Sequence, residues 1–288
     1  MHDGYLVVQS IQSSMWFGNL IVDIELLLVL ALTFVIHLIG TLAYAFRIAG
    51  VRTGHLAIAF SLFNILVLVS RLSNALQGPF LSKRVEEAIA DNLTDSLLLD
   101  FHLVILSATL ATIVGGLFLP SLQRMATLAV GFFQRRRSMT RLLLRAVSPA
   151  GVSTIMRSAA LPSYATLKSI GRLRDLPLLV ILLNFAATAL WTIGVLASIY
   201  AAVITPELRV TAASLSSLIN GAATILMFVA VDPHLSAVTD DSASGRIGES
   251  YLRRFIIWMI ASRLAGTLAA QFLFYPAASV VAWTAQAL

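Results

Sequence analysis

The chain has 288 residues, of which 58% are hydrophobic and only 12% are charged, and its formal net charge is +6. Soluble domains carry about 25% charged residues, so this composition excludes a water-soluble globular protein and indicates a polytopic membrane protein. The chain has no cysteine, which excludes disulfides, thiolate metal sites and a cysteine nucleophile.

The apolar segments predict an all-α fold, a polytopic helix bundle that forms a single transmembrane domain over residues 1–288. Each segment is long enough to cross the hydrocarbon core, which takes about 20 residues. We expect Pro79 to end the second span and Pro276 to kink or end the sixth. The predicted spans are residues 20–46, 55–78, 97–119, 176–204, 208–231 and 251–275.

The connections between the predicted spans are polar. Residues 47–54 contain two arginines and two glycines and predict a tight basic turn. Residues 80–96 and 232–250 are rich in charged and small polar residues and predict loops.

Residues 121–175 are strongly basic, with apolar residues interleaved, as in MTRLLLRAVSP. This pattern predicts one or two helices on the membrane surface whose basic side chains reach anionic lipid headgroups. A soluble basic loop is the alternative, and a further membrane hairpin across residues 121–145 is another.

Charge asymmetry predicts the orientation. Residues 47–54, 121–175 and 232–254 together hold 15 basic and 5 acidic residues. Because cytoplasmic loops carry the excess of Lys and Arg, we place these three regions in the cytoplasm and both termini outside.

The second predicted span carries a polar face. At 100° per residue, Asn64 and Arg71 nearly superimpose, and Asn74 lies about 60° from Arg71. An arginine at membrane depth costs at least ~2.5–3.5 kcal/mol on insertion scales unless protein, water or an anion compensates it.

Other spans add polar residues at membrane depth. Arg263 and Gln271 share one face of the sixth span, His37 lies mid-span in the first, and Asn220 lies in the fifth. This cationic, amide-rich interior indicates an anionic passenger, because the planar fork of arginine matches phosphate and diphosphate oxygens.

Structural roles are the alternative for each of these side chains. Arg71 could pair with Asp100, and Arg263 could bind backbone carbonyls. His37 and the asparagines could form interhelical hydrogen bonds.

Motifs for catalysis and cofactor binding are missing. The sequence has no HExxH, GxSxG, Walker or aspartate-rich diphosphate motif. We therefore predict no enzyme activity, no cofactor, no metal site and no nucleic-acid partner. The alternatives to transport are an integral-membrane enzyme acting on polyprenyl diphosphates and, less favoured, a structural membrane subunit.

Three blocks resemble the Amj family, the alternate lipid II flippases of bacteria. They are IHLIGTLAYAFRIAGVRTGHLAIAFSLFNILVLVSRLSNALQ (36–77), SSLINGAATILMFVAVDPHLS (216–236) and RLAGTLAAQF (263–272). The resemblance implies a multi-pass protein of the bacterial cytoplasmic (inner) membrane that moves lipid II, an undecaprenyl-diphosphate-linked peptidoglycan precursor, to the outer leaflet.

The residues and the resemblance together give one hypothesis. Arg71 and Arg263 line a cleft that holds the diphosphate and sugar, while Arg47, Arg52 and the basic segment collect the headgroup. The membrane potential could drive the movement, and the oligomeric state is left open. The remaining candidate substrate-binding residues are Asn64, Asn74, Gln271, His37 and Asn220.

Overall fold

The computed structural model describes residues 15–17, 20–22, 24–160 and 175–288. An antiparallel hairpin of two short strands, β1 (Met15–Phe17) and β2 (Leu20–Val22), precedes the first helix. The first span was predicted from residue 20, but residues 20–22 pair with β1 instead.

The remainder of the described chain is mainly helical, and six segments of it are long and apolar enough to cross a membrane. This confirms the prediction of an all-α bundle with six spans. The first three spans are α1 (Ile24–Thr53), α2 (Leu56–Ala90) and α3 (Leu97–Leu117), the last with a preceding 3-10 turn at Thr94–Ser96.

Three shorter helices separate the third span from the fourth. They are α4 (Leu119–Arg136), α5 (Met139–Val147) and α6 (Pro149–Arg157). The helical interpretation of the basic segment is therefore correct over its described part, and none of these helices is a further span. The remainder of that prediction, residues 161–174, lies outside the described residues.

The second half of the bundle contains one broken span. The fourth span is α7 (Leu178–Ile204) and the sixth is α11 (Glu249–Ala287). Between them, the fifth span consists of α8 (Arg209–Ser214), α9 (Ser216–Ile225), a π-helical segment (Leu226–Val231) and α10 (Asp232–Ala243).

The prediction that Pro79 ends the second span is wrong, since α2 continues to Ala90. Leu81 and Val85, one turn apart, are fully buried in the core beyond the proline. On the outer face of this extension, Lys83 bonds Glu25 at 2.7 Å. Burial and ion pairing therefore stabilise about three more turns of helix than the proline suggests.

Two other helices also continue beyond their predicted ends, and Pro276 does not end the sixth span. α11 passes Pro276 and reaches Ala287 because Ala278 and Val281 pack in the core. α1 likewise extends to Thr53, so the predicted 47–54 turn is reduced to Gly54 and His55, with Gly54 at a φ of +70°.

The predicted 232–250 loop is also largely helical. α10 buries Leu235 and Thr239 against the rest of the bundle, and Pro233 stands in its first turn, where a proline is tolerated. Only residues 244–248 remain as a connection.

The centre of the bundle is the contact between α7 and α11. A Cβ added at Gly266 of α11 would lie 2.7 Å from the carbonyl oxygen of Phe185 in α7, so the two backbones approach closely there. The buried side-chain amide of Asn184 in α7 also holds α7 to α11, because it donates to Met259 O at 3.0 Å and to Ser262 Oγ at 2.7 Å.

We predict that Gly266→Ala destabilises the protein by roughly 1–3 kcal/mol, because the new methyl group overpacks a backbone contact. The measurement is the midpoint of thermal unfolding in detergent. Gly221→Ala is the control, since a Cβ there meets nothing within 4 Å. An unchanged midpoint for Gly266→Ala would show that the two helices separate at little cost.

Candidate substrate-binding cavity

A cavity of about 850 Å³ lies within the bundle, in the size range of ligand sites. Its walls come from α1, α2, α7 and the fifth span, and Arg263 contributes from α11. On α1 the lining runs from Thr33 to Arg47, fifteen residues that span about 21 Å along the helix axis, against a hydrocarbon core of about 30 Å.

Most of the residues singled out from the sequence line this one cavity, including both Arg71 and Arg263. The full set that does so is His37, Arg47, Asn64, Arg71, Asn74, Asn220 and Arg263. The cavity lining carries three arginines and one aspartate, so its formal charge is +2 with histidine neutral.

Two of the candidate residues do not line the cavity. Arg52 bonds Glu249 at 2.9 Å, at the end of α1. Gln271 faces α3, where its Oε1 is 2.6 Å from His102 Nδ1 and its amide donates to His102 O at 3.1 Å. Gln271 therefore joins α11 to α3. Its spacing places it on the same face of α11 as Arg263, but this spacing did not predict that its partner is His102.

Arg263 lies near mid-span, and its position depends on a glycine of α1. A Cβ added at Gly40 would collide with the Arg263 guanidinium, so the glycine leaves the space in which this group lies. No carboxylate of the described chain forms an ion pair with Arg263. Its buried Nε also has no hydrogen-bond partner.

The alternative in which Asp100 neutralises Arg71 is wrong. Asp100 pairs with Arg84 at 2.8 Å, on the extension of α2 beyond Pro79. Arg71 is exposed, and within the described ranges it has no ion pair. Its charge is thus available at the side of the bundle where α2 borders the cavity.

The cavity is least enclosed between α2 and the fifth span. α2 packs mainly on α1, meets α7 over a short stretch and does not pack closely on the fifth span. Of the six spans, α2 and the fifth span also have the smallest fraction of residues buried inside the bundle. Phe228 of the fifth span lines the cavity and is 52% exposed.

Arg47 closes one end of the cavity through three elements. Its guanidinium reaches Asp232 at 3.3 Å and Ser236 at 3.2 Å, both on α10, and lies 5.1 Å from the centre of the Phe60 ring of α2. Asp232 is the one carboxylate among the described residues that line the cavity, and it is thus already paired with an arginine.

Hydrogen-bonding capacity is left unused along the cavity wall. Six buried side-chain polar atoms of the described residues lack a partner, and four belong to cavity-lining residues. These four atoms are His37 Nδ1, Thr188 Oγ1, Asn220 Oδ1 and Arg263 Nε. Since buried polar groups are normally satisfied, their concentration here is typical of a site that receives a polar ligand.

Sequence reasoning missed the face of α1 that lines the cavity. Thr33, His37, Gly40, Tyr44 and Arg47 recur every three or four residues and all line it. This periodicity was present in the sequence, although only the two basic members were singled out. The residues of α7 that line the cavity, including Thr188 and Thr192, are all uncharged, so no charge in the sequence indicated their role.

Within residues 24–160 and 175–288, no group of three or more His, Asp or Glu side chains is placed to hold a metal ion.

Comparison with known proteins agrees with this picture. A family model described as "Alternate to MurJ", named Amj, matches residues 32–285, which include every residue that lines the cavity. The chain belongs to the Amj family. A relative from Bacillus subtilis (strain 168), named "Lipid II flippase Amj", is 36% identical over 264 residues, which are 91% of this chain and 97% of the relative. No solved structure matches.

We predict that the cavity of this Amj protein attracts anions, and the absence of cysteine permits a direct measurement. In a Ser70→Cys variant, whose new thiol lines the cavity, a negatively charged methanethiosulfonate should react several-fold faster than a positively charged one. Adding Arg263→Gln should reduce that ratio.

Leu68→Cys is the matched control for reagent access. Leu68 lies on α2, is 65% exposed and does not line the cavity, so in a bilayer its thiol should react with neither charged reagent. Faster reaction of the cation at Ser70→Cys would contradict a cationic cavity.

Proposed function

We propose that this protein is a lipid II flippase that carries the headgroup of an undecaprenyl-diphosphate-linked precursor across the membrane in the central cavity. The observation that carries the proposal is the unneutralised Arg263 beside a polar, under-partnered cavity at mid-span. Membership of the Amj family and the name of the B. subtilis relative support the same substrate.

We place the diphosphate between Arg71 and Arg263. Both arginines line one cavity, neither has a carboxylate partner in the described chain, and guanidinium groups bind phosphate oxygens in a bidentate manner. Asn64 and Asn74 lie on the same α2 wall and add amide hydrogen bonds. An anion here would offset the cost of holding arginine at membrane depth.

The prenyl tail would stay in the lipid throughout. The loosely packed boundary between α2 and the fifth span gives the diphosphate a lateral path into the cavity without drawing the tail inside. Exposed apolar side chains on α2, including Leu68 and Leu72, suit contact with lipid or with such a tail.

The protein is a multi-pass membrane protein, and we propose the bacterial inner membrane with both termini on the periplasmic side. The positive-inside bias supports this orientation. A charge that crosses the whole field changes in energy by ~2.3 kcal/mol per 100 mV, and an inside-negative potential favours outward movement of an anion.

The basic helices α5 and α6 would lie on the cytoplasmic surface and bind anionic lipids. Leu143, Leu144 and Val147 are exposed apolar residues of α5, and Arg141 and Arg145 flank them. This combination suits the boundary between acyl chains and headgroups. We therefore assign the collection of the lipid headgroup at the cytoplasmic surface to α5 and α6 alone, because Arg47 and Arg52 are already paired with Asp232 and Glu249.

Within the Amj family the chain is a transporter and not an enzyme. The enzyme alternative, hydrolysis or transfer on polyprenyl diphosphates, is not favoured. It predicts release of phosphate or headgroup in detergent, which the transport assay below also monitors.

The decisive assay is reorientation of lipid II between leaflets by purified protein in liposomes. We expect the wild type to move the lipid and both Arg71→Glu and Arg263→Glu to abolish movement, because each reverses a charge in the cavity. Arg209→Glu is the control, since Arg209 is exposed and lies outside the cavity.

Two results would contradict the proposal. Full activity of the Arg71 and Arg263 variants would remove these residues from the substrate path. Lipid that stays in its leaflet but loses phosphate would make the protein an enzyme.

The orientation has its own test in spheroplasts of cells that express single-cysteine variants. Asp91→Cys, beyond the end of α2, should react with a membrane-impermeant maleimide in intact spheroplasts. Ser244→Cys, beyond the end of α10, should react only after permeabilisation. The reverse pattern would invert the proposed topology.

A further inference from the structure

The covalent order of the proposed substrate constrains where each part can lie. The diphosphate joins the prenyl tail to the sugar, so it must lie between the tail in the lipid and the sugar in the cavity. A headgroup whose diphosphate lies between Arg71 and Arg263 therefore places its sugar against the other walls of the cavity, which include α1, α7 and α9.

Those walls carry the uncharged members of the unpartnered set. His37 on α1 is 7% exposed and Thr188 on α7 is 1% exposed, and both line the cavity with a buried polar atom unsatisfied. Asn220 on α9 is the third, with its Oδ1 unpartnered. Together they offer hydroxyl, amide and imidazole groups, which match the hydroxyl and amide groups of a sugar.

Glycines set the positions of these groups. A Cβ at Gly194 of α7 would lie 2.4 Å from Asn220 Oδ1, so α9 approaches α7 closely enough to bring the amide to the α7 wall. A Cβ at Gly266 would lie 3.0 Å from Thr188 Cβ, and Arg263 lies one turn away on the same helix. Thr188 therefore packs against α11 within one helical turn of Arg263, the arginine that we assign to the diphosphate.

We propose that His37, Thr188 and Asn220 form a subsite for the sugar attached to the diphosphate, and that this subsite selects sugar-bearing lipids over polyprenyl diphosphates that lack one. The inference rests on the proposed function. It assigns charge recognition to the arginines and sugar recognition to the neutral groups, because a site built to hydrogen-bond a ligand rejects an analogue that lacks the matching group.

Thr188 and Thr192 provide an internal comparison one helical turn apart. Both line the cavity on α7. Thr192 Oγ1 already donates to the Thr188 carbonyl at 2.7 Å, whereas Thr188 Oγ1 has no partner. Thr→Val keeps the shape of the side chain and removes only the hydroxyl, so the two substitutions differ in whether a free hydrogen-bonding group is lost.

The experiment measures binding of two lipids to purified full-length protein: lipid II and sugar-free undecaprenyl diphosphate. We expect Thr188→Val and Asn220→Leu each to weaken lipid II binding about five- to tenfold, the loss of one hydrogen bond, without changing binding of undecaprenyl diphosphate. Arg71→Gln should weaken both lipids, and Thr192→Val should weaken neither.

Thr188→Ser retains the hydroxyl and should keep the wild-type preference, which separates a recognition role from a packing role. Equal weakening of both lipids by Thr188→Val and Asn220→Leu would overturn the sugar subsite. So would a wild type that binds both lipids equally well, although that result leaves transport intact. A wild type that binds neither lipid would instead overturn the proposed function.

Discussion

The cost of placing Arg263 at mid-span constrains the rest of the bundle. A lone guanidinium in hydrocarbon costs ~2.5–3.5 kcal/mol even on the mildest scales, and in the described chain no carboxylate pairs with it. The helices must therefore keep Arg263 away from lipid and beside a polar cavity. Gly40 supplies the space on α1 that permits this.

The contact between α7 and α11 makes that arrangement rigid. Gly266 brings the two backbones together, and Asn184 bonds across them while receiving a hydrogen bond from Tyr44 of α1 at 3.4 Å. One side of the cavity is therefore a tightly joined wall. The other side, α2 and the fifth span, packs far less closely. The asymmetry suits a carrier in which loose spans move against a fixed wall.

Much of this architecture was predictable from hydropathy, because each span and each intramembrane arginine can be recognised from its own stretch of sequence. The ends of the helices were not predictable in this way. The extension of α2 beyond Pro79, for example, depends on Leu81 and Val85 packing into a core that distant residues form. The cavity was predicted through its charged members. Gln271 was misplaced because helical spacing gives the direction of a side chain and not the helix that it meets.

The Arg47–Asp232 pair has a consequence for how tightly any cargo can be held. A carboxylate tethered at 3.3 Å competes with an incoming phosphate at a very high effective concentration. A cargo that reached Arg47 would therefore have to displace Asp232, and this exchange would lower the net affinity for that cargo. When the cargo departed, Asp232 would take Arg47 back, so the empty carrier would return to its starting ion pair.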